Sequence, residues 1–110
     1  MEGHMIITTT DSIEGRRIVE YKGLVWATAI HGVAIGKDLK AIGRNITGGR
    51  AEVYEGEVDS GSNEALAELQ DAAEKLGANA VVGAALNAYG IGNNGSMMLV
   101  TLSGTAVVVE

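Results

Sequence analysis

The chain has no cysteine and no phenylalanine, and its only aromatic residues are Tyr21, Trp26, Tyr54 and Tyr89. Without cysteine there are no disulfides and no thiolate metal ligands, which fits a reducing compartment and makes a cytoplasmic location the expectation. With so few aromatics, the core must be built from Val, Ile, Leu, Met and Ala, which pack closely but bury little area each. A chain of 110 residues makes one domain. Domains of this size hide only roughly 60–70% of their unfolded surface. Further burial between subunits is therefore expected.

Histidine is nearly absent too. The first four residues, Met1-Glu2-Gly3-His4, read as a cloning scar ahead of a native start at Met5, leaving residues 5–110 as the domain and His31 as its one imidazole. A Ser or Thr nucleophile needs a base within hydrogen-bond reach, and nothing nominates such a pair. Metal binding needs three or four convergent donors. His31 stands alone at the end of an apolar run, and Met97 and Met98, as strand neighbours, point to opposite faces. We assign no catalytic residue, no metal ligand and no cofactor from the residues, and no enzyme class. Met5 leads into Thr8-Thr9-Thr10-Asp11 rather than an apolar signal region, so no export signal is expected.

Charge of one sign is segregated. Residues 51–76 hold eight acidic residues against Lys75 alone, whereas residues 77–109 hold no charged residue. Residues 1–50 carry seven bases and five acids within an overall charge of −6. This balance argues against a nucleic-acid binder, which needs a dominant basic surface. The uncharged C-terminal third is interrupted by Asn79, Asn87, Thr101, Ser103 and Thr105. It falls short of the ~18 apolar residues of a membrane span.

The period of that third is two. Met98, Val100, Leu102, Ala106 and Val108 share one face, with Thr101, Ser103 and Thr105 on the other. Residues 80–89 are equally strand-like and Asn94-Gly95 is a turn dipeptide, which together predict a long β-hairpin. Gly90-Ile91-Gly92-Asn93-Asn94-Gly95 matches a dinucleotide-binding pattern, but a strand follows it where a helix would be needed, so it reads as the hairpin loop. Upstream, residues 18–31 predict a long strand bent at Gly23, with Val19, Tyr21, Val25, Ala27 and Ala29 on one face. A short β-prone run covers residues 5–10.

Two stretches have helical period. Lys37, Lys40 and Arg44 form one stripe, with Leu39 and Ile42 on another, up to a stop at Gly48-Gly49; these bases with Arg50 are a candidate anion grip or a salt-bridging face. Residues 51–76 are the main helical region, with Leu66, Leu69, Ala73 and Leu76 as its apolar stripe. Asn63 or Ser62 is a candidate N-cap, Asp71 and Lys75 an i, i+4 pair, and Gly77 the C′ residue. Gly56 and Gly61, each costing about 1 kcal/mol in a helix interior, leave open whether that helix is continuous. The fold class is therefore α+β: a mainly antiparallel sheet with a long C-terminal hairpin and one or two amphipathic helices. Uncharged hairpin edges aggregate unless covered, and a second copy is the simplest cover, so a homo-oligomer is expected.

Ile6-Ile7-Thr8-Thr9-Thr10, Ile13-Glu14-Gly15, Gly23-Leu24-Val25, Lys37-Asp38-Leu39, Gly48-Gly49-Arg50 with Tyr54, Leu76-Gly77-Ala78-Asn79-Ala80-Val81-Val82-Gly83 and Gly104-Thr105-Ala106-Val107 occur in that order. The ordered set resembles the YbjQ-like family of small bacterial proteins over nearly the whole chain from Met5. The resemblance implies an α+β subunit in a ring-shaped homopentamer, and a family label that names heavy-metal binding. It also picks out Asp38, Arg50 and Tyr54 as a polar network bridging subunits, or as a ligand site. The reading is a non-enzymatic assembly or small-ligand-binding module. Its partner is itself, without nucleic acid or membrane. A heavy-metal binder or sensor and an enzyme with an inter-subunit site are the alternatives.

Overall fold

The computed structural model describes residues 5–32, 46–92 and 96–110, with backbone alone for 46–55 and 57. The elements are β1 (Ile6–Ile7), β2 (Ile18–Gly32), α1 (Ile46–Lys75), β3 (Ala80–Ile91) and β4 (Met97–Val109). Four strands form one mixed sheet in the order β1-β3-β4-β2, with β1 parallel to β3 and the other two pairs antiparallel. The predicted hairpin is β3–β4, and the predicted long strand is β2, which lies on the far side of β4. The stripe of bases at residues 37–44 falls outside the described residues.

Alternation in β4 sorts the two faces as expected. Met98, Val100, Leu102 and Ala106 join Val25, Ala27 and Ala29 of β2 in a core cluster beneath Ala65, Leu69 and Ala73 of α1. Val107 and Val109 point the other way, into a smaller cluster with Ala80 and Val82 that Ile13 and Ile18 cover. The segment before β2 is held over this second cluster by backbone bonds: Thr8 N–H donates to the Val81 carbonyl, and the N–H groups of Gly83 and Ala84 donate to the carbonyls of Thr10 and Thr8.

The face assignment within β2 needs correction. Val25, Ala27 and Ala29 are buried under the helix, but Tyr21 pairs with Val107 and is exposed on the opposite face. The register slips between Ile18 and Glu20 and again between Tyr21 and Gly23, where Gly23 has φ +122°. Each inserted residue reverses the parity of the side chains that precede it. The expected bend at Gly23 is present; its effect on the alternation is what sequence periodicity missed.

The helix differs from expectation in three respects. It runs unbroken for 30 residues through Gly48, Gly49, Gly56 and Gly61, so Gly48-Gly49 is no stop and Ser62 and Asn63 are interior rather than capping. Its buried stripe is Gly61, Ala65, Leu69 and Ala73 at i+4 spacing, while Leu66 and Leu76 are exposed. The reason is close approach to the sheet: a Cβ built on Gly61 would lie 2.8 Å from Val100 Cγ2. Tertiary contact at that point outweighs the helix propensity lost. Gly56 is exposed, with nothing within 4 Å of its would-be Cβ.

These two glycines make opposite predictions. Gly56→Ala is expected to stabilise the fold by about 0.5–1 kcal/mol through helix propensity. Gly61→Ala gains the same propensity but overpacks a β-branched neighbour and is expected to destabilise by about 1–2 kcal/mol. Paired urea unfolding curves at equal protein concentration check the signs.

The C-terminal end of the helix is as predicted. Gly77, with φ +86°, donates to the Glu74 carbonyl at 2.9 Å, and Ala78 N–H donates to the Ala73 carbonyl at 3.0 Å, the paired bonds of a Schellman motif. Lys75 Nζ lies 3.2 Å from Asp71 Oδ2. Asn79 then ties the start of β3 to the end of β4: its Nδ2 donates to the Val109 carbonyl at 2.9 Å and its Oδ1 accepts from Val109 N–H at 2.8 Å.

Candidate interaction surface

The helix covers one face of the sheet, and residues 8–18 cover the lower end of the other. Among the described residues, nothing covers the upper part of that second face. Strand register arranges it in rows: Trp26, Ser103 and Ala85; Thr28, Thr101 and Asn87; Ile30, Leu99 and Tyr89, below which Leu24 and Thr105 lie level with the buried Val82 of the covered cluster. A stripe of hydroxyls on β4 thus runs between an apolar border on β2 and Tyr89 on β3. Leu24, Trp26 and Ile30 are 65%, 66% and 54% exposed. Thr28 separates Trp26 from Ile30, so the border is a row of three large apolar side chains with one hydroxyl among them.

A groove of about 280 Å³ lies beside this border, lined by Leu24, Val25, Trp26, Ala72, Lys75 and Leu76. It lies along the free edge of β2, between that strand and the last turns of α1. The exposed Leu76 that departed from the expected stripe is one of its walls. A second, open depression of about 470 Å³ is lined by Ile6, Thr8, Thr10, Ser12, Ile13 and Glu14.

Polar chemistry is sparse among the described residues. His31 Nε2 lies 2.6 Å from Glu64 Oε1, joining the end of β2 to the middle of α1. No group of three or more His, Asp or Glu side chains converges among the described residues. Two donors already bonded to each other do not amount to a metal site, so these residues do not fit the metal that the family label suggests. Met98 is buried in the core, which makes it a packing residue, whereas Met97 points away from the core and is exposed. Gly90 and Ile91 end β3, and β4 begins at Met97, so the glycine-rich motif is a hairpin connection; its Asn93, Asn94 and Gly95 lie outside the described residues. No described helix is long and apolar enough to cross a membrane.

Of the residues singled out by resemblance, Asp38 lies outside the described residues. Arg50 and Tyr54 fall on the first part of α1, where side chains lie outside the description as well. The bare face was not foreseen residue by residue. Its signal was present, since the small Val25, Ala27 and Ala29 on one side of β2 leave the large Leu24, Trp26 and Ile30 on the other. Glu64 as partner of His31, 33 positions away, left no comparable signal.

The chain is 49% identical to a UPF0145 protein of Clostridium kluyveri and 47% identical to one of Acetivibrio thermocellus, each over 106 residues, covering 96% of this chain and 100% of each relative. A crystal structure of a protein of unknown function from Pediococcus pentosaceus is 23% identical with a TM-score of 0.67, covering 96% of this chain and 98% of that one, which shows a shared fold. The family model YbjQ, described as "Putative heavy-metal-binding", matches residues 5–110. The chain therefore belongs to the YbjQ (UPF0145) family.

Proposed function

We propose that this chain is a non-enzymatic assembly module that works as a ring-shaped homopentamer with small-ligand sites between subunits. The observation that carries the assembly reading is the row of Leu24, Trp26 and Ile30, more than half exposed on a sheet face that no described residue covers. The subunit shape agrees. Its radius of gyration is 17.2 Å, against roughly 13 Å for a compact domain of this length. The stoichiometry rests on family resemblance, as does the subunit-bridging network of Asp38, Arg50 and Tyr54. Size-exclusion chromatography with light scattering at micromolar concentration tests the assembly: a pentamer mass is expected, and a monomer overturns the reading.

Heavy-metal binding stands second, supported by the family description alone; the nearest donors among the described residues, His31 and Glu64, are already bonded to each other. A metal there would have to break that pair and recruit further donors. Elemental analysis of tag-free protein, with titration of copper(I), zinc and nickel into wild type and His31→Gln, decides it. Tight binding lost in His31→Gln would favour this reading, whereas binding no tighter than to competing buffer would remove it.

A further inference from the structure

The segment between β1 and β2 has an outer side with chemistry of its own. Its backbone is fixed to β3: Thr8 N–H donates to the Val81 carbonyl, and the carbonyls of Thr8 and Thr10 accept from Ala84 and Gly83 at 3.0 and 2.7 Å. A tight turn follows, in which Arg16 N–H donates to the Ile13 carbonyl at 3.0 Å and Gly15, its third residue, has φ +82°. An extended chain sends every second side chain to one side. Ile6, Thr8, Thr10 and Ser12 accordingly share the lining of the depression of about 470 Å³, and Ile13 and Glu14 of the turn complete it. Its walls are held in place before any ligand arrives, which lowers the entropic cost of binding.

The hydroxyl protons of both threonines are already committed. A carbonyl only accepts, so the 2.6 Å bond from Thr10 Oγ1 to the Ser12 carbonyl uses the Thr10 proton. The 2.9 Å bond between Thr8 Oγ1 and Thr10 Oγ1 is then donated by Thr8. Thr8 Oγ1 in turn accepts from Thr10 N–H at 3.2 Å. A hydroxyl oxygen has two lone pairs, and each of these uses one, so each can still accept and neither can donate. The Glu14 carboxylate beside them is a third acceptor. Such a lining repels anions. A primary ammonium brings three donors and no acceptor, the complement of this set. A hard cation such as calcium takes about six to eight oxygens, more than a lining that includes Ile6 and Ile13 supplies. We infer that this depression binds the primary ammonium group of a small amine, held by Thr8 Oγ1, Thr10 Oγ1 and the Glu14 carboxylate, with the amine's carbon chain against Ile6 and Ile13. The site is complete within one subunit and does not depend on the assembly reading.

The probe is n-butylammonium, titrated into 15N-labelled protein in whatever assembly state it holds and followed in TROSY spectra. Butyrate and 1-butanol serve as controls with the same carbon chain. Saturable shifts at the amides of residues 8–15 are expected with butylammonium and with neither control. Glu14→Gln keeps the shape of the turn and removes the charge, so it should weaken binding about tenfold or more. Thr10→Val should weaken it too, whereas Thr10→Ser, which restores the hydroxyl, should retain it; Glu68→Gln on the exposed helix surface should change nothing. A parallel titration with Nα-acetyl-lysinamide separates the two sources of such a group: tighter binding than butylammonium assigns the site to a protein lysine, weaker binding to a free amine. Equal shifts with 1-butanol, no saturable shift at residues 8–15, or an affinity unchanged in Glu14→Gln overturns the inference. Displacement of butylammonium by an equal concentration of magnesium chloride overturns it as well, because the acceptors would then be serving a metal ion.

Discussion

Trp26→Lys is expected to convert the proposed assembly to monomers while leaving the subunit folded. Trp26 is two-thirds exposed in the isolated subunit, so its loss removes little intramolecular packing, and far-UV circular dichroism should be unchanged. Covering the exposed part of an indole removes about 130 Å² from water, worth about 3 kcal/mol per contact. Lysine forfeits that and adds an ammonium to be desolvated. At about 1.4 kcal/mol per tenfold, each contact weakens by more than about 100-fold. Light scattering of the variant reads the result directly, with Glu68→Lys on the exposed helix surface as the matched control that should stay assembled. Trp26 is the only tryptophan, so wild-type emission should also shift to the red on dilution through dissociation. An unchanged mass for Trp26→Lys, with no red shift on dilution, would mean that this face is not the contact.

Legibility in the sequence followed the range of each interaction. The period of two in residues 97–109 fixes which side of β4 meets the helix, because alternation is a local property of an extended chain. Gly77 and the Asp71–Lys75 pair were equally local and equally plain. The continuity of α1 was not, since propensity counts what Gly61 costs a helix but not what a missing Cβ permits against Val100. The side on which Tyr21 emerges depends on residues inserted into β2 relative to β4, and single-strand periodicity cannot register an insertion whose reference is another strand. The pairing of Ile6 and Ile7 with Ala80 and Val81 spans most of the chain and had only β-propensity to announce it. For the candidate site, the uncharged hairpin raised the expectation of a surface needing cover. Half of that cover proved internal, supplied by Ile13 and Ile18 over Val107 and Val109, and the bare half is concentrated on β2 and β3.

Gly104→Ala is expected to be the most damaging single-methyl addition among the described glycines. A Cβ there would lie 2.6 Å from Val81 Cγ1, 3.2 Å from the Val82 carbonyl oxygen and 3.4 Å from Ala84 Cα. Two of those atoms are backbone, held in place by the β3 bulge at Gly83, which has φ +63° and donates to the Thr10 carbonyl at 2.7 Å. The third belongs to a fully buried valine in the centre of the main core. None has room to yield without disturbing either the core or the segment that covers the second cluster. Overpacking of this kind costs about 1–3 kcal/mol, and backbone crowding puts Gly104→Ala at the upper end of that range. Gly83→Ala, strained by its left-handed backbone but with nothing within 4 Å of the new Cβ, should cost about 1–2 kcal/mol. Urea unfolding of both variants at one protein concentration checks the order. Equal losses would mean that the bulge, not the close approach of β4, sets the requirement for glycine at this crossing.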